Sequence, residues 1–178
     1  MKTIKLSNRV IVSDPCYDLD VSCKYITDKM CPGEYDVSVE YSSDTSWGKR
    51  VATLTVEHKD YKSSYLPWEE TSNDIGVDSG QCGIFNLEEY RNDEKSKEYN
   101  LPLAFGPDWS DNDGDDWYQR MCTLTLSIND CGVSNNSWGT VETGVVSSSG
   151  YGDGVYKLFS KKTDNDVIVG FLLVFLNI

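Results

Sequence analysis

After the Pro32-Gly33 turn, Tyr35, Val37, Val39 and Tyr41 alternate with Asp36, Ser38 and Glu40, which puts four apolar side chains on one face of a strand. Residues 50–58 repeat the pattern, with Ala52, Leu54 and Val56 opposed by Thr53, Thr55 and Glu57. The polar stretch 42–48 joins the two, and together they predict an antiparallel hairpin with one solvated face. The opening MKTIKLSNRVIVSD alternates in the same way and reads as a strand. Near the other end, segments 140–148, 155–160 and 167–176 are strand candidates separated by SSGYGDG and KKTDND, both rich in turn formers. The last of these is the longest apolar run, about half of the roughly twenty residues that a membrane-spanning helix needs, and it reads as a buried central strand.

The middle third breaks this rhythm, because Gly, Asn, Ser and Asp interrupt any sustained period between Ser63 and Asp116. Short strands are expected near 75–77 and 83–85, and residues 87–97 suit either a short helix or a mobile surface turn. From Asp115 onward, Trp117, Met121 and Leu124 follow helical spacing, with Asp113, Asp115 and Asp116 at the positive N-terminal end. No internal repeat and no interdomain linker is visible. The expected architecture is a single mainly β domain over 1–178, with α+β as the variant: an antiparallel β-sandwich or open barrel with one or two short helices and an acidic elaborated region at about 63–119.

Charge changes the picture more than composition does. Net charge is -13, and fourteen carboxylates between residues 63 and 119 face only Arg91, Lys95 and Lys97, while each flank lies within one charge of neutral. A field of one sign favours a basic protein surface as partner. It disfavours naked nucleic acid and anionic membranes, which are bound through clusters of Lys and Arg. The N-terminus has no apolar signal core, so a cytoplasmic location is expected, and the six cysteines are then read as free thiols. No CxxC pair offers a zinc site, and no motif implies a cofactor.

The densest acidic segment, GPDWSDNDGDDW at 106–117, admits three readings. Asp111, Asp113 and Asp115 match the first three ligand positions of a calcium loop, but the Gly and Glu that such a loop needs are here Asp116 and Cys122. Asp113 or Asp115 could instead cap the following helix. The third reading is docking. Asp108, Asp111, Asp113, Asp115 and Asp116 would face a basic surface, and in an extended chain alternate carboxylates recur every 6 to 7 Å or so, imitating backbone phosphates. Trp109 and Trp117, with Trp68 beside Glu69 and Glu70, would anchor such an interface, although core packing is the commoner fate of a Trp.

The segments SDPCY, PGEYDV, RVATLTV, VDSGQCGIF and SSSGYGDGVYKLF, taken in that order, resemble a family of uncharacterised β-rich domains of bacteria and their phages. The resemblance implies one cytosolic domain of bacterial or phage origin and supplies no catalytic residues. Two of its segments contain glycine-flanked loops, 77–83 and 150–154, which either make turns or bring Asp78, Ser79, Gln81 and Asp153 together as a polar ligand pocket. Enzyme readings are thinner. His58 is the only histidine and lies in strand phase, GYGDG lacks the features of a phosphate loop, and a hydrolase would rest on paired Asp residues such as Asp78 and Asp153. The leading expectation is a non-enzymatic acidic interaction protein that inhibits a nucleic-acid-binding host protein, as a phage counter-defence factor would. A small-ligand binder is the alternative.

Overall fold

The structure is a computed structural model that describes residues 2–42, 48–107, 109, 115–126 and 137–176. Two antiparallel sheets pack as a sandwich. The larger contains β1 (Lys2–Leu6), β4 (Gly33–Ser42), β5 (Arg50–His58), β11 (Ile168–Val174), β10 (Gly154–Lys162) and β6 (Trp68–Val77), in that spatial order. The smaller runs β3 (Tyr25–Thr27), β2 (Val10–Ser13), β7 (Gln81–Asn86), β9 (Gly144–Ser148), β8 (Trp138–Val141). The sheets stay separate and no closed barrel forms.

The alternation read from the sequence sets the core. Tyr35 and Val37 of β4, Leu54 and Val56 of β5 and Phe171 and Leu173 of β11 face Val10, Val12, Ile84 and Val145 of the other sheet. The predicted hairpin pairs Tyr35 with His58 through Ser42 with Arg50, with a bulge at Glu40 and Tyr41. His58 ends its strand as expected, its Nδ1 accepting the Asp60 amide at 3.2 Å while its ring meets Tyr35 and Tyr61 edge to face.

Helix α2 (Asp115–Thr125) covers the outer face of the smaller sheet, and this makes a second core of Ile11, Phe85, Tyr90, Trp117, Met121, Val141 and Val146. The extra layer explains why β2 is buried at all four positions: Val10 and Val12 face one core and Ile11 the other. The segment at 87–97 includes the short helix α1 (Asp93–Ser96), followed by a 3-10 turn at Lys97–Tyr99.

Two boundaries differ from the sequence reading. The strand expected at 75–77 begins at Trp68, because β6 is an edge strand of which only Ile75, Gly76 and Val77 are buried. Its polar half carries a bulge at residues 71–73, where the Thr71 hydroxyl donates to the Asn73 carbonyl at 3.0 Å. Bulge and carboxylates together blunt this edge against further strand pairing. The single strand expected at 140–148 is a hairpin, since β8 turns into β9 between Val141 and Gly144 without a Asn-Gly or Asp-Gly signal in the sequence. The acidic middle also contributes more than an elaboration, giving β6 to one sheet and β7 to the interior of the other.

Candidate functional site

Where β2 ends, Asp14 is fully buried and its carboxylate gathers two loops. Oδ1 accepts the Cys16 amide at 2.8 Å and the Ser79 hydroxyl at 2.6 Å, while Oδ2 accepts the amides of Asp78 at 2.8 Å and Ser79 at 2.7 Å. A buried carboxylate is tolerated only when its acceptor sites are filled in this way. The Tyr90 hydroxyl lies 2.7 Å from the carbonyls of both Asp14 and Tyr17. Arg91 then holds the segment from outside, bonding the Pro15 carbonyl at 3.2 Å and Asp18 at 2.9 Å and reaching Asp115 at the start of α2.

The two glycine-flanked loops meet. The Ser149 amide donates to the Gly80 carbonyl at 3.0 Å, and a Cβ on Gly80 would lie 3.7 Å from the Gly152 Cα. Both glycines have left-handed backbones, with φ of +68° and +113°, which lets the loops cross backbone to backbone. Asp78 and Asp153 are exposed on them, and the Tyr17 hydroxyl lies near the Asp78 carboxylate. Gln81 instead turns inward, accepting the Thr125 hydroxyl at 2.6 Å and approaching the Cys122 sulfur at 3.3 Å, so it braces α2 against the smaller sheet. Ser79 is committed to Asp14.

Negative charge dominates this end of the sandwich. Burial, then Asp14, pushes the Cys16 thiol up to about 12, and burial followed by the Asp78 hydrogen bond raises Tyr17. Cys82 and Cys122 are raised as well, chiefly by burial with Asp14 adding. These thiols are therefore protonated and unreactive near neutrality. Among the described residues no cation forms an ion pair with Asp14, Asp78 or Asp153, in contrast to Asp18, Asp115 and Asp116.

Tyr118, on the second turn of α2, carries the surface onward. Its hydroxyl lies beside Ser79 and Cys122, and its ring is 6.2 Å from Trp109, which is 4.7 Å from Phe105. The Phe105 amide is fixed by the Gln119 side chain at 3.0 Å. Trp109 is 48% exposed and Phe105 44%. A continuous strip thus runs from Tyr17 and Asp78 across Ser79 and Tyr118 to Trp109 and Phe105. Sequence reasoning missed Asp14, Tyr17, Tyr118 and Phe105; only the SDPCY segment signalled the first two.

The remaining residues expected at a docking site are placed elsewhere. Trp117 is 1% exposed and lies in the second core, and its amide donates to the Asp93 carboxylate at 2.8 Å; of the two capping candidates, Asp113 lies outside the described residues. Asp115 faces Arg91, and Asp116 pairs with Arg120 at 3.4 Å. Trp68 lies across Gly170 on the outer face of the larger sheet, with the Lys161 ammonium 4.8 Å from its ring centre and Glu57 paired to that lysine. Glu70 shares Lys157 with Asp74, and Glu69 is exposed beside them. Asp108, Asp111 and Asp113 lie outside the described residues. Of the three calcium-loop candidates only Asp115 is described, 3.7 Å from Arg91, and no group of three ligating side chains occurs among the described residues.

A cleft lies apart from this strip. It is about 570 Å³ and is lined by Glu89, Lys95, Glu98, Tyr99 and Thr143 among others. Glu89 already accepts from Tyr99 and Thr143, and Lys95 pairs with Glu98, so its polar groups have partners within the chain.

The segments that converge on Asp14 fall within a match to a family model described as "Protein of unknown function (DUF4241)", which spans residues 5–173. The chain belongs to the DUF4241 family. No curated protein and no solved structure matches it. For this DUF4241 chain, the functional reading therefore rests on the strip itself.

Proposed function

We propose that this protein is a non-enzymatic interaction module that engages a basic protein surface through the strip from Asp78 to Phe105. The observation that carries the reading is the exposed, tilted pair of Trp109 and Phe105, which adjoins Tyr118 and through it the Ser79 loop, where the Asp78 carboxylate has no ion-pair partner among the described residues. Aromatic rings beside uncompensated negative charge suit a partner that brings cations, because ring faces and carboxylates both attract them. Asp108, Asp111 and Asp113 add to the charge along the same segment of sequence.

A nucleic-acid-binding protein offers such a surface, and occupying its Lys and Arg groove would inhibit it, as a phage counter-defence factor acting in the bacterial cytoplasm would do. Capture of partners from bacterial lysate at low and high salt tests the reading. Wild type should retain a basic protein at low salt and release it at high salt. Replacing Asp108, Asp111 and Asp113 by Asn, or Phe105 and Trp109 by Ala, should abolish capture with the melting temperature unchanged. Salt-insensitive capture that survives both sets of substitutions defeats the proposal.

A second reading is favoured by the crossing of the two glycine loops, which brings the segments of Asp78 and Asp153 together. A small polar cation held there would raise the melting temperature at modest concentration, whereas protein docking predicts no response to metabolites.

A further inference from the structure

We infer that the outer face of the larger sheet, on the side of the sandwich away from α2, is where a second copy of this chain binds to make a two-fold dimer. The two sheets are finished differently. Helix α2 packs on β8 and β9 of the smaller sheet, whereas no α-helix of the described residues lies over the larger one. Val155, Lys157 and Phe159 alternate along β10 with Tyr156 and Leu158 of the inner core, so they point outward, as do Leu172 and Val174 on β11. Phe159, Leu172 and Val174 are half-buried at the centre of this face, and Val155 is 69% exposed at its end. There Val155 and Val174 join Tyr151 and Leu176 in lining an open cleft of about 500 Å³. A contiguous apolar patch of this kind on a charged chain marks an interaction surface.

Charge decides which partner the face fits. Asp36 pairs with Lys62, Glu57 with Lys161, and Lys157 with both Glu70 and Asp74. With Glu40 included, five carboxylates meet three lysines, so the face is close to neutral on a chain of net charge -13. A second acidic copy is repelled little there, and a strongly basic partner finds little to attract it. The strand register makes the face self-complementary. Its rows run Ser38, Thr55, Leu172, Phe159 and Glu40, Thr53, Val174, Lys157, polar or acidic on β4 and apolar or cationic on β10. A copy turned about an axis along the strands, between β5 and β11, lays its β10 over β4, as an isologous aligned packing of sheets requires. Lys157, whose side chain is 54% exposed, then faces Glu40 of the other copy, and Leu172 lies over Thr55. Glu40 has no ion pair among the described residues. The area suffices as well. Six strands about 4.8 Å apart, each offering about seven residues at 3.3 Å, present roughly 650 Å² in projection, near the ~800 Å² per partner of a stable interface.

Sedimentation velocity of the intact chain over a micromolar concentration series tests the inference. Wild type should convert with concentration from the mass of one chain to twice that mass. Val155→Asp, which sets a charge in the apolar patch, and Glu40→Lys, which sets a like charge opposite Lys157, should each weaken the dimer at least about tenfold while the circular dichroism spectrum stays unchanged. Should Val155→Asp fail to fold, Glu40→Lys, at an exposed polar position, carries the test alone. Trp109→Ala, on the opposite side of the sandwich, should leave the dimer intact. A wild-type chain that stays monomeric throughout overturns the inference. So does a dimer that survives both Val155→Asp and Glu40→Lys, or one that is lost in Trp109→Ala and kept in the other two, because either result places the contact elsewhere.

Discussion

Trp68 and Trp109 are both flanked by carboxylates in the sequence, yet the fold treats them in opposite ways. Trp68 lies over Gly170, whose lack of a side chain gives its ring room, and Lys161 and Glu57 complete a ring, cation and carboxylate cluster on the outer face of the larger sheet. Trp109 has the ring and neighbouring acids, with other aromatic rings as its described contacts and no described cation stacked on it. The difference teaches that acidic and aromatic composition does not make a docking surface by itself. Where the sheet delivers a lysine from another strand, the cluster is structural. Where no cation is described, the proposed docking reading assigns the ring and charge to a partner.

The largest way to break the comparison is through Asp14, on which the Trp109 side depends for its loops. Asp14→Ala leaves the amides of Asp78 and Ser79 without their acceptor in a buried site and should cost about 4 kcal/mol in urea unfolding. A loss below about 1 kcal/mol would show that the carboxylate does not organise this end of the sandwich. On the Trp68 side, Glu57→Gln leaves the Lys161 cation buried without its partner and should cost about 3 kcal/mol. Lys161→Met should cost less, since it removes the charge together with the need for a partner. Neither should alter partner capture.

Smaller effects sharpen the same contrast. Gly152→Ala forces a side chain onto a backbone at φ +113° and should lower stability by about 1–2 kcal/mol, loosening the loop crossing without touching Trp68. At pH 8, alkylation should reach the exposed Cys23 well before Cys16, whose thiol is raised to about 12 and is therefore still protonated. The raised value fixes the sign: Cys16 becomes reactive only as pH climbs toward it, and fast labelling at pH 8 would mean that its burial, and the negative charge of Asp14 beside it, are not as described.

How much of this was legible beforehand follows from what local sequence can carry. The hairpin of β4 and β5 and the strands β10 and β11 were visible because each buries one face or both against a sheet, and period two survives in the residues. The polar half of β6 was invisible because it extends past the core, so its strand character comes from pairing with β10 alone. Charge counting along the chain overstated the isolation of the acidic middle: Glu70 and Asp74 are neutralised by Lys157, Asp116 by Arg120 and Glu88 by Arg9, all from outside that third. For the same reason Trp117 could not be told from Trp109, since helical spacing marked the first as a core candidate while the neighbouring aspartates marked both as anchors. The meeting of the loops at Gly80 and Gly152 is a tertiary fact with no local signature beyond the glycines.

The most direct measurement is a paired comparison of Trp68→Ala and Trp109→Ala, reading thermal stability and salt-dependent capture of a basic partner on the same samples. Trp68→Ala should lower stability by about 2 kcal/mol and leave capture intact, because a packed ring is lost from the sheet. Trp109→Ala should change stability by less than about 0.5 kcal/mol and weaken capture at least tenfold. Capture that falls with Trp68 and survives the loss of Trp109 would contradict the account.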